Sequence, residues 1–241
     1  MNSDLIEKIG GIDNFRCVIE SLEIIKESVQ HVYTAEILKD KNTTCPQCQY
    51  DFLMRVMEKR SIASNIYEDL TKYAFVALTY DLLESRANCT RLAALMLNLL
   101  SFNCNFRHKS KLEMMSNNSI DHCVLIYKNL SLNESVVIDP FSIYYNYNYV
   151  LNTFENFILK TQNDVNFKSK IEDWNTSKFC FHAFKNIPVP ILQRKDEIIE
   201  FSQAAKDYHS TINIDFEEIQ KLAKIQIEAK IRADNKKGPH K

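Results

Sequence analysis

Glycine and proline are scarce, with three glycines and five prolines in 241 residues, against ordinary usage of about 7% and 5%. Sheets built from many hairpins need such residues at their turns. The shortage therefore argues against a β-sandwich or barrel and for a mostly helical chain with a small sheet. No run of about 18 apolar residues occurs, so no transmembrane helix is expected. The start, Met1-Asn2-Ser3-Asp4, has neither the basic opening nor the apolar stretch of a signal peptide, and synthesis in a cytosol is expected. Charge of one sign is missing too. The 30 basic and 31 acidic side chains leave a formal net charge of -1 and a pI near 6.6, which gives no footprint for nucleic acid or an anionic membrane.

What is present is apolar. At 45% hydrophobic residues the chain can bury a proper core, and its length favours one domain with extensions or two small lobes. The seven cysteines, at 17, 45, 48, 89, 104, 123 and 180, form an odd set without the spacing of a secreted disulfide scaffold, so reduced thiols are expected, most of them small core residues. Cys45-Pro46-Gln47-Cys48 is a CxxC that reads as half a zinc site, a redox pair or a coincidence. No second CxxC follows, and Lys41 to Thr44 reads as a loop, which favours neither metal nor redox chemistry. The basic end, Lys230 to Lys241, reads as a solvated, frayed tail.

Apolar residues at spacings of three and four predict an amphipathic helix from Asn14 to about Leu38, carried by Phe15, Val18, Ile19, Leu22, Ile25, Val29 and Val32. Further helices are expected near Tyr50 to Glu58 and from Ser64 to Ser85. The run Cys89 to Leu100 is rich in strong helix formers and apolar nearly all round, which predicts a helix buried at the centre of a domain. Cys104 to His108 reads as a short strand and Lys109 to Ser119 as a polar connection. His122 to Tyr127 and Glu134 to Asp139 read as a hairpin, ended by Pro140, which cannot donate to a ladder. A helix over Val150 to Leu159, a strand over Lys178 to Phe184, and charged helices over Lys195 to Tyr208 and Asp215 to Ala233 complete the reading.

Three residues in this frame carry chemistry. Cys89 opens the central helix, where the backbone N–H groups and the helix dipole favour a negative charge. His122 opens a strand, and Asp139 closes the neighbouring strand, so antiparallel pairing is expected to bring 122 beside 139. An unassisted thiol, with a pKa near ~8.5, is mostly protonated at neutral pH. An imidazole within reach activates it, and a carboxylate behind the imidazole fixes its tautomer. The other histidines, 31, 108, 182, 209 and 240, are scattered along the chain.

The words Ala87-Asn88-Cys89, Asp121-His122 and Ile138-Asp139-Pro140, in that order and at spacings of 33 residues (89 to 122) and 17 residues (122 to 139), resemble the transglutaminase-like branch of the papain-like thiol enzymes. Peptide N-glycanases and bacterial protein-glutamine deamidases belong to that branch. The resemblance covers roughly residues 64 to 142. It implies Cys89 as nucleophile, His122 as general base and then acid, and Asp139 as its orienter, acting on a carboxamide or acyl carbonyl through a thioester. The family's aromatic or glutamine oxyanion donor ahead of the cysteine has no clear match, leaving Asn88, Tyr80 and the backbone N–H of Cys89 as candidates. Arylamine N-acetyltransferases share the triad order, but their Arg-Gly-Gly before the cysteine is replaced here by Arg86-Ala87-Asn88.

The expected fold is α+β, a papain-like core in which a small antiparallel sheet packs on a central helix, with flanking helices. One domain spans 1–232, made of a helical N-terminal extension (1–63), a catalytic core (64–142) and a C-terminal part (143–232), with a flexible tail at 233–241. Tyr144 and Tyr145 are candidates for a substrate groove. The expected activity is glutamine deamidation of a protein substrate ahead of proteolysis, in a cytosol that is the cell's own or that of a host receiving a bacterial effector. No cofactor, metal or nucleic-acid partner is expected. A silent fold used as a binding module is the rival from another class.

Overall fold

In the computed structural model of the chain the described residues are 3–31, 74–75, 77–79, 81–82, 85–104, 106, 110–117, 120, 122–145, 150–164, 171–177, 181 and 185. Two of the three glycines stand together where the first helix, α1 (Ser3–Lys8), turns into the second, α2 (Ile12–Ser28). Gly10 and Gly11 adopt φ of 90° and 117°, a region that side chains with a Cβ avoid. A Cβ on Gly10 would also meet the Asn14 side chain at 2.9 Å.

Helix α2 buries Val18, Leu22 and Ile25 on one stripe, as the periodicity predicts, but it ends at Ser28, ten residues before the expected Leu38. Val29 is extended, its N–H bonded to Ile25 O, and Gln30 N–H donates to Ser85 O at 2.7 Å. The chain leaves the helix to form β1 (Gln30–His31), which pairs in parallel with β2 (Arg86–Ala87). A pairing with residues more than fifty positions away has overridden the local helical pattern, and no sequence period announces such a pairing. The Cys45–Cys48 motif and the helix expected at 50–58 lie outside the described residues. Of the helix expected from Ser64 to Ser85, the described Ala74, Ala77, Leu78 and Leu82 are helical and buried.

The central helix, α3 (Cys89–Asn103), forms where expected and buries every residue from Arg91 to Leu100. Leu92 and Leu95 are fully buried, each stabilising the fold by roughly 1.5–3 kcal/mol. One side of α3 meets Val18, Leu22 and Ile25 of α2, and the other meets the sheet residues Cys123, Leu125, Tyr127, Val136 and Ile138.

That sheet has five antiparallel strands: β3 (Ser110–Asn117), β4 (His122–Asn129), β5 (Glu134–Ile138), β6 (Leu151–Thr153) and β7 (Trp174–Thr176), in the order β6-β5-β4-β3-β7. Its far face, with Met115, Val124, Ile126 and Val137, is covered by Phe157 and Ile158 of α4 (Phe154–Asn163) and by Trp174. The fold is therefore α+β, with a small antiparallel sheet laid between a buried helix and a covering one. Cover on both faces explains why β4 reads as a continuous apolar run.

Several expected elements are displaced. The strand expected at 104–108 is absent from the described part of that stretch, where Cys104 closes α3. The strand lies instead at 110–117, in the stretch read as a polar connection. Lys111 and Glu113 lower the β-propensity there, but Glu113 pairs with Lys111 along its own strand and with Lys128 of β4 across the sheet. The helix expected from Val150 begins only at Phe154, because residues 151–153 add an edge strand to β5. A strand forms at 174–176, and of the strand expected at 178–184 only Phe181 is described. Phe181 N–H bonds Ser177 O and Lys185 N–H bonds Phe181 O, the i→i−4 spacing of a helical turn. The helices expected at 195–208 and 215–233 lie outside the described residues.

The expectation of reduced cysteines is also corrected. Cys17 in α2 and Cys104 at the end of α3 form a disulfide, with Cα atoms 5.9 Å apart. Local spacing carries no hint of it, since the packing of α2 on α3 is what brings the two residues together. Cys89 and Cys123 are buried and form no disulfide. No helix among the described residues is long and apolar enough to cross a membrane.

Candidate active site

The site begins with the start of α3. Asn88 is in an extended conformation and its side-chain oxygen accepts from Arg91 N–H at 3.1 Å, while its backbone carbonyl accepts from Leu92 N–H at 2.9 Å. This is N-cap geometry, and it makes Cys89 the first helical residue. In a helix's first turn the N–H groups point along the axis, away from the ladder, so a negative charge at this end is favoured. Arg91, fully buried, forms an ion pair with Asp81, which binds the opening turn of α3 to the preceding helical segment.

His122 opens β4, and its Nε2 lies 3.0 Å from Asp139 Oδ2. The pairing that delivers this contact differs from the expected one. In the observed register Leu125 faces Ile138 and Asn129 faces Glu134, so its continuation sets Asp139 against Val124 and His122 against Phe141. The shift is two residues, a full strand period, and so it leaves both side chains on the same face. His122 and Asp139 are thus diagonal neighbours, within reach of long side chains, rather than directly opposite.

Asp139 is wholly buried and holds three donors: His122, the Phe141 backbone N–H at 3.1 Å and the Ser142 hydroxyl at 2.8 Å. The 3-10 helix Pro140–Tyr144 supplies the last two, with Asp139 as its N-cap and Pro140 at its first position. A carboxylate fixed on three sides cannot rotate away from the imidazole. With Nε2 committed to Asp139, Nδ1 is the ring nitrogen left for Cys89, whose side chain also hydrogen-bonds His122. Burial opposes a charge on the ring. The Asp139 carboxylate, and after it Cys89, outweigh that cost and hold His122 protonated, its pKa pushed up to about 10.

Aromatic rings surround the imidazole. Phe141 stands 4.9 Å from it edge-on and Trp174 lies 6.0 Å away. Asn117, fully buried, is the direct cross-strand partner of both His122 and Trp174. None of Phe141, Ser142, Trp174 and Asn117 is singled out by the sequence pattern. Only Ser142 carried a readable signal: Asp-Pro followed by a serine three residues after the aspartate is the sequence of a capped helical start.

The remaining expected site residues fall as follows. Asn88 caps α3 with its oxygen, and Tyr80 lies outside the described residues. Tyr144 turns its hydroxyl inward and donates to Val29 O at 2.6 Å and Ile25 O at 3.3 Å, so it anchors the turn after Asp139 to the end of α2. Its burial pushes the phenol pKa up and keeps it a donor. Tyr145 is half-buried, with its hydroxyl 2.8 Å from His31 Nδ1. Among the described residues no group of three or more His, Cys, Asp or Glu side chains is placed to hold a metal ion. No protein-family model matches the chain, and no curated protein or solved structure matches it.

Proposed function

We propose that the chain is a cysteine-dependent acyl-transfer enzyme on a transglutaminase-like, papain-like core, acting on a protein substrate. The observation that carries this reading is the buried chain of contacts from Cys89 through His122 to Asp139. In this reading the sulfur, having given its proton to His122, attacks a carboxamide carbonyl to form a tetrahedral oxyanion. The backbone N–H at the start of α3 serves that oxyanion. His122 then protonates the departing nitrogen, ammonia leaves and a thioester forms. A water molecule gives its proton to His122 as it attacks the thioester. The acid product departs, and the proton returns the pair to its starting state.

Glutamine deamidation is favoured over peptide-bond cleavage by access. Cys89 and His122 are only 6% and 5% exposed, a setting that a slender, extended side-chain amide enters more readily than a folded backbone. Two measurements test the proposal. Iodoacetamide should alkylate Cys89 near neutral pH at least tenfold faster in the wild type than in His122→Ala, a threshold set below the ~10²–10⁴-fold that a positioned acid or base contributes. Equal rates would leave a non-catalytic binding module as the better account. Intact-mass analysis of target-cell proteins incubated with the wild type should show the small gain of amide-to-acid conversion, absent with Cys89→Ala. Cleaved fragments would instead make the enzyme a cysteine protease.

A further inference from the structure

His31 stands far from the triad in sequence, yet β1 pairs it with Ala87, two residues before the nucleophile. From there its ring packs edge-on against Phe141 at 4.6 Å, the ring that also contacts His122 at 4.9 Å. Its Nδ1 is 2.8 Å from the hydroxyl of Tyr145, the residue that closes the 3-10 helix capped by Asp139. The Tyr145 ring in turn lies 4.7 Å from Phe141.

Two segments therefore meet at one hydrogen bond. One runs from β1 and β2 into Asn88 and Cys89 and carries the nucleophile. The other runs from Asp139 to Tyr145 and carries the carboxylate, with Phe141 against the imidazole. The geometry points to His31 and Tyr145 as positioning residues for the proposed reaction: their hydrogen bond locks the nucleophile's side of the site to the histidine–aspartate side and clamps Phe141 against His122.

The inference rests on the triad reading. The contacts also give the pair a position that Tyr144 does not share. Tyr144 ties the same turn to Ile25 and Val29 at the end of α2, one step further from Cys89. His31 is hydrogen-bonded through the strand that leads directly into it. Loss of the lock should loosen the imidazole against the sulfur without removing any group that reacts.

The test is the alkylation rate of Cys89 by iodoacetamide from pH 5 to 9, with thermal melting in parallel, for wild type, His31→Ala, His31→Gln, Tyr145→Phe and His122→Ala. His31→Ala and Tyr145→Phe should each slow alkylation below neutral pH by about tenfold, a modest share of what a small misplacement of reacting groups costs. His31→Gln, which keeps a hydrogen-bonding group facing Tyr145, should recover most of the rate. Wild-type profiles for His31→Ala and Tyr145→Phe beside a slow His122→Ala would sink this inference and leave the triad reading intact. Wild-type profiles for all the variants would overturn both. A lowered melting temperature with an unmoved profile would show a merely structural contact. Should His31→Ala fail to fold, Tyr145→Phe, which deletes a single oxygen, decides the matter.

Discussion

At the residue scale Asp139 is the pivot, because one carboxylate orients the imidazole and caps the turn that follows. The two roles separate by substitution. In Asp139→Asn, Oδ1 still accepts from Phe141 N–H, but the amide group facing His122 can only donate, which imposes the wrong tautomer on the ring. The variant gives up the charge facing His122 but keeps the capping bond, so it should lose stability through the His122 contact alone while Cys89 loses most of its reactivity, in line with the ~10⁴-fold loss seen when a triad aspartate becomes asparagine in a serine protease. Asp139→Ala removes the capping bonds as well as the counter-charge of His122 and should be the less stable of the two, about 3–5 kcal/mol below the wild type. Chemical denaturation at neutral pH distinguishes the two variants, and equal destabilisation would show that the capping bonds contribute little. The same pair dictates a pH dependence. His122 titrates near its ordinary 6.5 when unfolded and near 10 when folded, so the folded state gains from the proton. That stabilisation is complete below about 6.5 and is lost as pH rises through about 10. The stability difference between wild type and His122→Gln should therefore be constant from pH 5.5 to 6.5 and shrink steadily towards pH 10. A difference that instead grows with pH would mean that the ring is neutral in the native state.

At the scale of elements, what the sequence made legible depended on how local its cause is. The start of α3 was readable because Asn88 is a capping residue and the run after it is built of helix formers. The strand ends at His122 and Asp139 were readable because an apolar run begins at one and a proline follows the other. The register was not, since the hairpin gained two residues at its loop end: Asn129 joins β4 and its side chain accepts from Ser131 and Leu132 N–H, while Asn133 takes a positive φ of 54°. Strand β3 was missed because its pairing with β4 and β7 on either side, rather than its composition, makes it a strand. Trp174 and His31 were missed because each reaches the site through pairings that sequence order hides. The cap offers its own prediction. Asn88→Ala should destabilise the protein by about 1 kcal/mol, read from a denaturation midpoint. Asn88→Asp keeps the acceptor for Arg91 N–H and suits the helix dipole, so it should restore stability. If Asn88→Asp is stable but slow in turnover, the amide group of Asn88 also serves the oxyanion. If it is stable and fully active, the cap is its whole role.

For the molecule as a whole, the architecture puts Cys89, His122 and Asp139 where its layers converge. Helix α3 lies against α2 on one side and the sheet on the other. The disulfide from Cys17 to Cys104 fastens α2 to the far end of α3, across a sequence separation of 87 residues. A loop of that length, closed in the unfolded chain, should raise stability by about 4–5 kcal/mol on the chain-entropy account. The bond joins the end of α3 opposite to Cys89, so its loss should weaken the fold without altering the local geometry of the triad. Denaturation of wild type with and without a dithiol reductant, and of the Cys17→Ser, Cys104→Ser double variant, should show the oxidised protein more stable by an amount of this order. The reduced wild type and the double variant should nearly coincide. Alkylation of Cys89 under native conditions should be the same in all three, because the opening turn of α3 is held by the Asn88 cap and by the buried pair of Arg91 and Asp81. A fall in Cys89 reactivity on reduction, at temperatures well below melting, would show that α2 sets the position of Cys89 and that the oxidation state of this distant pair controls it.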